Sequence, residues 1–482
     1  MPDGEMNMIK KSQVRGAIRR VLTGLLAAGL FLLAGCQQTP ENETVVSRAD
    51  GAMEEVIAAE PAAGEQDVLS TGGTAAEPVD TDTASATITE HWSDTVTLNG
   101  LTCVIDADVV VPERQVFPVY TMRQTPFTAQ RYASVLAMFA DEGTTVTYQD
   151  MTREELLLAL TAAARGEYVV GEDGVGSYEP YEGQEQEVAA LQEQLSQWES
   201  DGFEPMPAEP VFPQVATYER TDGSRMSVKA DEDAIVILMG NHFSVIQPES
   251  WVMAGNAYPG EPAGTTLADV TISREEAEAA GSAFLGKLGI GYLGLAEAER
   301  ARILQDSSYE TLTEGWYLTY TRTDSGGIPV YYGSQHSGIL YQRSEEYAPS
   351  WYQEVLYLFV DGNGVQALTW SHPAEALKQV NDNVLVLDFD TIRERILSYI
   401  ELGYSYYAQK RGGDATESVT IDRVVLTNVY VPVKDDLAHQ LMVPAWLIYY
   451  TQATGQNTLS AFIAVNAIDG SAVDLKIRLS AS

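Results

Sequence analysis

Trp316-Tyr317-Leu318-Thr319-Tyr320-Thr321 and Trp446-Leu447-Ile448-Tyr449-Tyr450-Thr451 spell the same pattern, Trp-x-x-x-Tyr-Thr, twice in one chain. Both stretches mix aromatic, aliphatic and β-branched residues, the composition of a strand packed on at least one face. Their surroundings match as well. Before the first copy, Ser273-Arg274-Glu275-Glu276 forms a capping box that opens a helix running to about Leu288. After it, residues 356–360 lead through Asp361-Gly362 into residues 365–368. Before the second copy, Asp390 caps a helix to about Tyr407, and residues 462–468 then lead through Asp469-Gly470 to Val473 and Leu475. An insertion between Ile328 and Tyr347 lengthens the first copy. A helix followed by three or four antiparallel strands, used twice, is a tandem α+β repeat, with copies at 268–380 and 381–482.

Working outward, the Gly- and Pro-containing stretch 250–267 reads as a boundary. Residues 91–255 before it read as a mixed α+β domain. Asn99-Gly100 between apolar, β-branched runs is a hairpin signal. Residues 128–140 carry Ala133, Leu136, Ala137 and Ala140 on one helical face. Thr152-Arg153-Glu154-Glu155 is a second capping box, residues 185–198 are a polar helix, and 227–229 and 234–239 are strands. Residues 37–90 contain no aromatic side chain and many carboxylates, with Arg48 the single base. Such a composition buries little, so residues 36–90 are expected to form an acidic tether, with at most a short helix near 52–59.

The first 35 residues read as an export signal. Lys10, Lys11, Arg15, Arg19 and Arg20 precede the apolar run 21–33, which is too short to span a bilayer. Leu33-Ala34-Gly35-Cys36 resembles a bacterial lipobox. That resemblance implies removal of residues 1–35, lipid on Cys36, and a mature chain outside the cytoplasmic membrane. If Cys36 is lipidated, Cys103 has no disulfide partner; in Leu101-Thr102-Cys103-Val104-Ile105 it reads as a small buried hydrophobe.

Two further resemblances join these features. Cys36-Gln37-Gln38-Thr39-Pro40-Glu41, the run Ile105-Asp106-Ala107-Asp108-Val109-Val110-Val111-Pro112 and the 127–140 helix resemble a family of uncharacterised lipoproteins from gut Firmicutes. No activity comes with that family. Gly327-Ile328-Pro329-Val330, Pro444-Ala445-Trp446 and Asn466-Ala467-Ile468-Asp469-Gly470 resemble PepSY-type modules. They are similar to those of the YycH and YycI type, extracytoplasmic regulators of a cell-wall sensor kinase. This second resemblance implies regulatory binding rather than catalysis.

The residues also exclude much. A formal net charge of −40, without a basic stripe, rules against nucleic acid. It also rules against docking on anionic lipid through protein charge, so the lipid itself must hold the membrane. No nucleophile elbow, zinc helix, P-loop or dinucleotide fingerprint occurs. His91, His242, His336, His372 and His439 are scattered, without metal-ligand spacing, so neither a metal nor a cofactor is expected. The Asp361-Gly362-Asn363-Gly364 and Asp469-Gly470 stretches suit ordinary turns better than calcium loops. Carboxylates could serve a glycosidase, but so acidic a chain singles out no pair.

Aromatic residues crowd the first repeat and its insertion. Tyr331, Tyr341 and Trp351, together with His336, are the candidate binding residues, because Tyr and Trp give rigid amphipathic contact area. The functional expectation is a non-catalytic binding or regulatory lipoprotein of the cell envelope. Its partners would be the membrane, through Cys36, and an envelope protein such as a sensor kinase or an exported enzyme. The alternative is a solute- or glycan-binding lipoprotein, marked by an aromatic-lined cleft between domains. A hydrolase is the third reading.

Overall fold

A computed structural model describes residues 52–69, 87–113, 115–148, 153–170, 176–181, 183–201, 206–207, 211–239, 244–250, 267, 270–305, 311–332, 351–411, 418–433, 436–454 and 457–473. The chain opens with α1 (Ala52–Ala58), the hairpin β1 (Thr87–Leu98) and β2 (Leu101–Pro112), then β3 (Val119–Gln124) and α2 (Ala129–Leu136). Next come β4 (Thr145–Tyr148), α3 (Arg153–Arg165), β5 (Glu167–Val170), β6 (Gly176–Glu179), α4 (Gln184–Asp201) and β7 (Met206–Pro207). A meander of β8 (Gln214–Glu219), β9 (Arg225–Ala230) and β10 (Ala234–Met239) leads to β11 (Ser244–Pro248). The first repeat is α5 (Arg274–Leu288), β12 (Leu293–Gln305), β13 (Thr311–Arg322), β14 (Val355–Asp361) and β15 (Gly364–Ser371), followed by β16 (Ala374–Asn381). The second is α6 (Phe389–Arg411), β17 (Ser418–Val433), β18 (Asp436–Thr454), β19 (Asn457–Asn466) and β20 (Ala472–Val473).

In both repeats a helix precedes four strands that pair in chain order, each antiparallel to the next. The fold is α+β. Each repeat sheet is extended by strands from the N-terminal half. β10, β9, β8, β4 and β7 continue the first sheet beyond β15, and β11 adds to β12. The β1–β2 hairpin lies along β17, with β2 parallel to it, while β3 bridges β18 and β16. Residues 87–239 therefore contribute to both sheets.

The two helices cover equivalent faces. On α5, the buried residues Ala277, Gly281, Phe284, Leu285 and Leu288 recur at helical spacing. They pack with Leu318 and Tyr320 of β13, whose side chains share one face because strand side chains alternate. The approach is close: a Cβ at Gly281 would overlap the Tyr320 hydroxyl oxygen. α6 buries Phe389, Ile392, Ile396 and Tyr399 against the second sheet, and the Phe389 ring lies 5.0 Å from that of Trp446. Trp446 is fully buried, and Trp316 donates from Nε1 to the Ile272 carbonyl at 3.0 Å. The Ser273 capping box is formed in full.

Four expectations are corrected. The α6 cap is Asp388, which accepts from the Thr391 N–H at 2.8 Å; Asp390 lies in the first turn, because the helix starts earlier than its periodicity suggests. α2 stops at Leu136, and its buried side chains are Tyr132, Val135 and Leu136, which are larger than the alanines and fill the space below the helix. The third correction concerns residues 52–69, which are no tether. Met53, Ile57, Val68 and Leu69 are buried in the core under α6. Backbone hydrogen bonds run from Ala62 N–H to Asn383, from Gln66 N–H to Gln115, and from Phe389 N–H to Val68. A few well-spaced apolar side chains suffice because the Asn381 and Asn383 side chains also donate to the segment's carbonyls at Ile57, Ala59, Ala62 and Gly64. The fourth is the Trp351 surface, described below. Thr152 and residues 1–51 lie outside the described residues.

Candidate functional site

The same alternation that turns Leu318 and Tyr320 toward α5 turns Tyr317 and Thr319 to the opposite face. Cross-strand pairing sets their neighbours: Glu299 stands opposite Tyr317, Glu297 opposite Thr319, and Thr319 opposite Tyr357. A β-bulge between Leu295 and Glu297 shifts the register so that both glutamates fall on this face. In the second sheet Tyr449 pairs with Phe462, while a second bulge, between Ile421 and Arg423, sets Asp422 apart from the ladder. The two faces enclose a cleft of about 770 Å³. Tyr317 and Tyr357 stack in parallel, centroids 5.2 Å apart, along one wall. Tyr449 and Phe462, 5.9 Å apart, form the other.

A strap closes one side. The Asp324 carboxylate accepts from the backbone N–H of Gly326 at 2.7 Å and of Ile328 at 2.9 Å, and from Asn428 Nδ2 at 2.9 Å. Gly327 supplies the positive φ, 85°, that this tight turn needs. The chain then bridges Thr323, just past the end of β13, and Asn428 of β17, with Tyr331 N–H donating to the Asn428 carbonyl at 2.8 Å. That crossing carries Tyr331 onto Phe462, 5.1 Å away, and Tyr332 into reach of Glu297, to which its hydroxyl donates at 2.6 Å.

The electrostatics of the cleft are one-sided. Burial pushes the phenols of Tyr317, Tyr331, Tyr332, Tyr357 and Tyr449 above their ordinary range, so they remain neutral hydroxyls. Burial also raises the Glu299 carboxyl, against the Ser250 backbone N–H that donates to it at 3.0 Å. Among the described lining residues there are carboxylates, phenols and hydroxyls, but no Lys, Arg or His.

Of the residues singled out from sequence, Tyr331 stands in the cleft wall. Trp351 does not form an exposed face. It is 7% exposed and packs 5.1 Å from Tyr430, in a cluster with Val330 and with Met122, Ala374 and Met442 of the second sheet. That apolar pocket on the second sheet removes the ring from water. His336, Tyr341 and Cys36 lie outside the described residues. Cys103 is buried, and burial pushes its thiol up to about 11, consistent with a packing role. His91 sits between Asp106 and Asp108 on the exposed hairpin, His372 stacks on Tyr352, and His439 contacts Asp436. None of the three lines the cleft.

Sequence reasoning missed Glu297, Glu299, Asp422, Tyr449 and Phe462 as a group. The alternation Glu297-x-Glu299 was a visible signal. The bulges and the second wall were not, because they depend on strands distant in sequence. A separate buried ion pair joins Arg322 to Glu354 at 3.0 Å, with Trp370 Nε1 and the Tyr292 hydroxyl also donating to Glu354 at 3.1 Å. Its acceptors are filled from the surrounding core, so it is a structural hub.

No protein-family model matches the chain, and no curated protein matches it at significant similarity. Among solved structures, it is similar to an uncharacterised protein from Eubacterium rectale, with 11% identity and a TM-score of 0.41; the match covers 78% of this chain and 91% of that one. It is also similar to the YpeB C-terminal domain of Bacillus megaterium, with 9% identity and a TM-score of 0.23, over 55% of this chain and 84% of that one.

Proposed function

We propose that this is a non-catalytic binding protein of the cell envelope, held outside the cytoplasmic membrane by lipid on Cys36, whose recognition site is the cleft between the two sheets. The observation that carries the reading is the cleft itself. At about 770 Å³ it falls within the range typical of small-molecule sites, roughly 300–1,000 Å³, and it is walled by aromatic rings with a few placed polar groups. Its glutamates are engaged as positioned acceptors, Glu297 by Tyr332 and Glu299 by Ser250, and no histidine stands among its described lining residues to activate a nucleophile. Of the two binding readings, the recessed shape favours a solute over a protein partner, because protein interfaces need broad, accessible surface.

Native mass spectrometry of the lipidated protein, extracted from its own envelope, tests this. The expected result is a small-molecule adduct that disappears in Tyr317→Ala/Tyr357→Ala. A co-purifying protein with no small adduct would overturn the solute reading and favour regulation of an envelope partner. Full extraction of Cys36→Ala without detergent is expected; retention in the membrane would overturn the anchor.

A further inference from the structure

We infer that the cleft takes an organic cation, a small molecule carrying protonated amines held between tyrosine rings and carboxylates. This rests on the reading of the cleft as a ligand site and names its chemistry. The described lining supplies Glu297, Glu299 and Asp422 without a single basic side chain. Two arginines flank it among the described residues. Arg300 is held by Glu249 through Nε and Nη2, both at 3.0 Å, and Arg423 stands beside Asp422 and Tyr449. With these included, four carboxylates (Glu249, Glu297, Glu299, Asp422) face two guanidinium groups (Arg300, Arg423).

The chemistry of each group points the same way. Neutral phenols accept hydrogen bonds from an ammonium group, and their ring faces attract it through the quadrupole. Half-buried Glu299 has no cationic hydrogen-bond partner among the described residues; the Ser250 backbone amide donates to it. An ammonium ion would supply the counter-charge that desolvation makes valuable. An anion would meet like charge from every carboxylate, and a neutral sugar would cover the rings while leaving Glu297 and Glu299 without counter-charge. The net charge of −40 over the whole chain draws cations toward the protein, so the test must separate the cleft from that general field.

Titration calorimetry on the full chain in detergent, with spermidine as the amine probe and cellotriose as the neutral one, makes that separation. Spermidine is expected to bind saturably, one per chain. Glu297→Gln/Glu299→Gln/Asp422→Asn should weaken it by about tenfold or more, in line with the loss of charge-assisted contacts. The exposed triple Glu60→Gln/Glu185→Gln/Glu193→Gln removes equal charge from residues that do not line the cleft and should leave affinity within about twofold, because salt screens exposed charges. Equal loss in both triples, or no saturable spermidine binding, overturns the proposal. If cellotriose instead binds and is lost in Tyr317→Ala/Tyr357→Ala, the cleft remains the site and only the cationic chemistry falls. If neither probe binds, both readings fall.

Discussion

Asp324 is the residue on which the strap depends. It is 8% exposed, and its carboxylate satisfies two backbone amides and the Asn428 side chain. Removing a buried acceptor leaves its donors unpaired, at about 1–3 kcal/mol for such a group. Asp324→Ala should therefore lower stability by about that amount in urea denaturation. It should also loosen the contact between Tyr331 and Phe462, read as a changed ring-current shift in NMR. Loss of stability without movement at Tyr331 would show that the strap is positioned by its β-bridges alone.

Glu299 makes a prediction about pH. Its carboxyl is raised by burial, with Glu297 and Glu249 adding to the effect and the Ser250 amide opposing it. A carboxyl whose folded value exceeds its unfolded value binds protons better in the folded state. Its favourable contribution is present at acid pH and is lost as pH rises through the folded value. Glu299→Gln should therefore raise the melting temperature of the ligand-free protein at pH 7. That gain should vanish near pH 4, where an unperturbed glutamate itself protonates at about 4.3. A constant gain at both pH values would locate the effect in packing. Stabilisation by removing a charge is the behaviour expected of a site kept for binding rather than for folding.

Among the elements, α5 and the segment containing α1 make opposite points. α5 lies so close to β13 that any side chain at position 281 meets Tyr320 and Leu318, the latter 2.9 Å from where a Cβ would sit. Gly281→Ala gains helix propensity of roughly 1 kcal/mol yet must push the helix outward, and overpacking costs about 1–3 kcal/mol. Net destabilisation by thermal denaturation is the expected outcome. α1 carries weak helical signals and is held by what it inserts. Met53 is 1% exposed, and its sulfur receives Asn466 Nδ2 at 3.1 Å. Met53→Ala should cost about 2–5 kcal/mol, the range for such core truncations. A change too small to resolve in urea denaturation would return residues 52–69 to the status of a tether.

For the whole molecule, the pairing of early with late strands governs cooperativity. β1 and β2 reach the second sheet only through β17, in parallel register from Ser418 opposite Thr102 to Val425 opposite Val110. A chain ending after residue 381 would leave β2 with an open apolar edge. Amide exchange along residues 101–112 should then lose its protection, although their hairpin partner β1 is still present. Retained protection would show that the hairpin folds independently of the repeat.

The local architecture is legible in the residues alone: the two helix-plus-sheet repeats, the Asn99-Gly100 hairpin and the Ser273 cap. These follow from periodicity, capping and turn chemistry, which act over a few residues. The buried state of Cys103 and Trp446 is legible for the same reason, since each sits in an apolar strand. How the N-terminal strands divide between two sheets, and where Trp351 packs, emerge only once the chain is folded. So does the choice of which tyrosines meet Glu297 and Glu299. Those outcomes depend on register, bulges and strand partners far apart in the chain, and the pairing energies that choose among them leave no periodic mark on either strand alone.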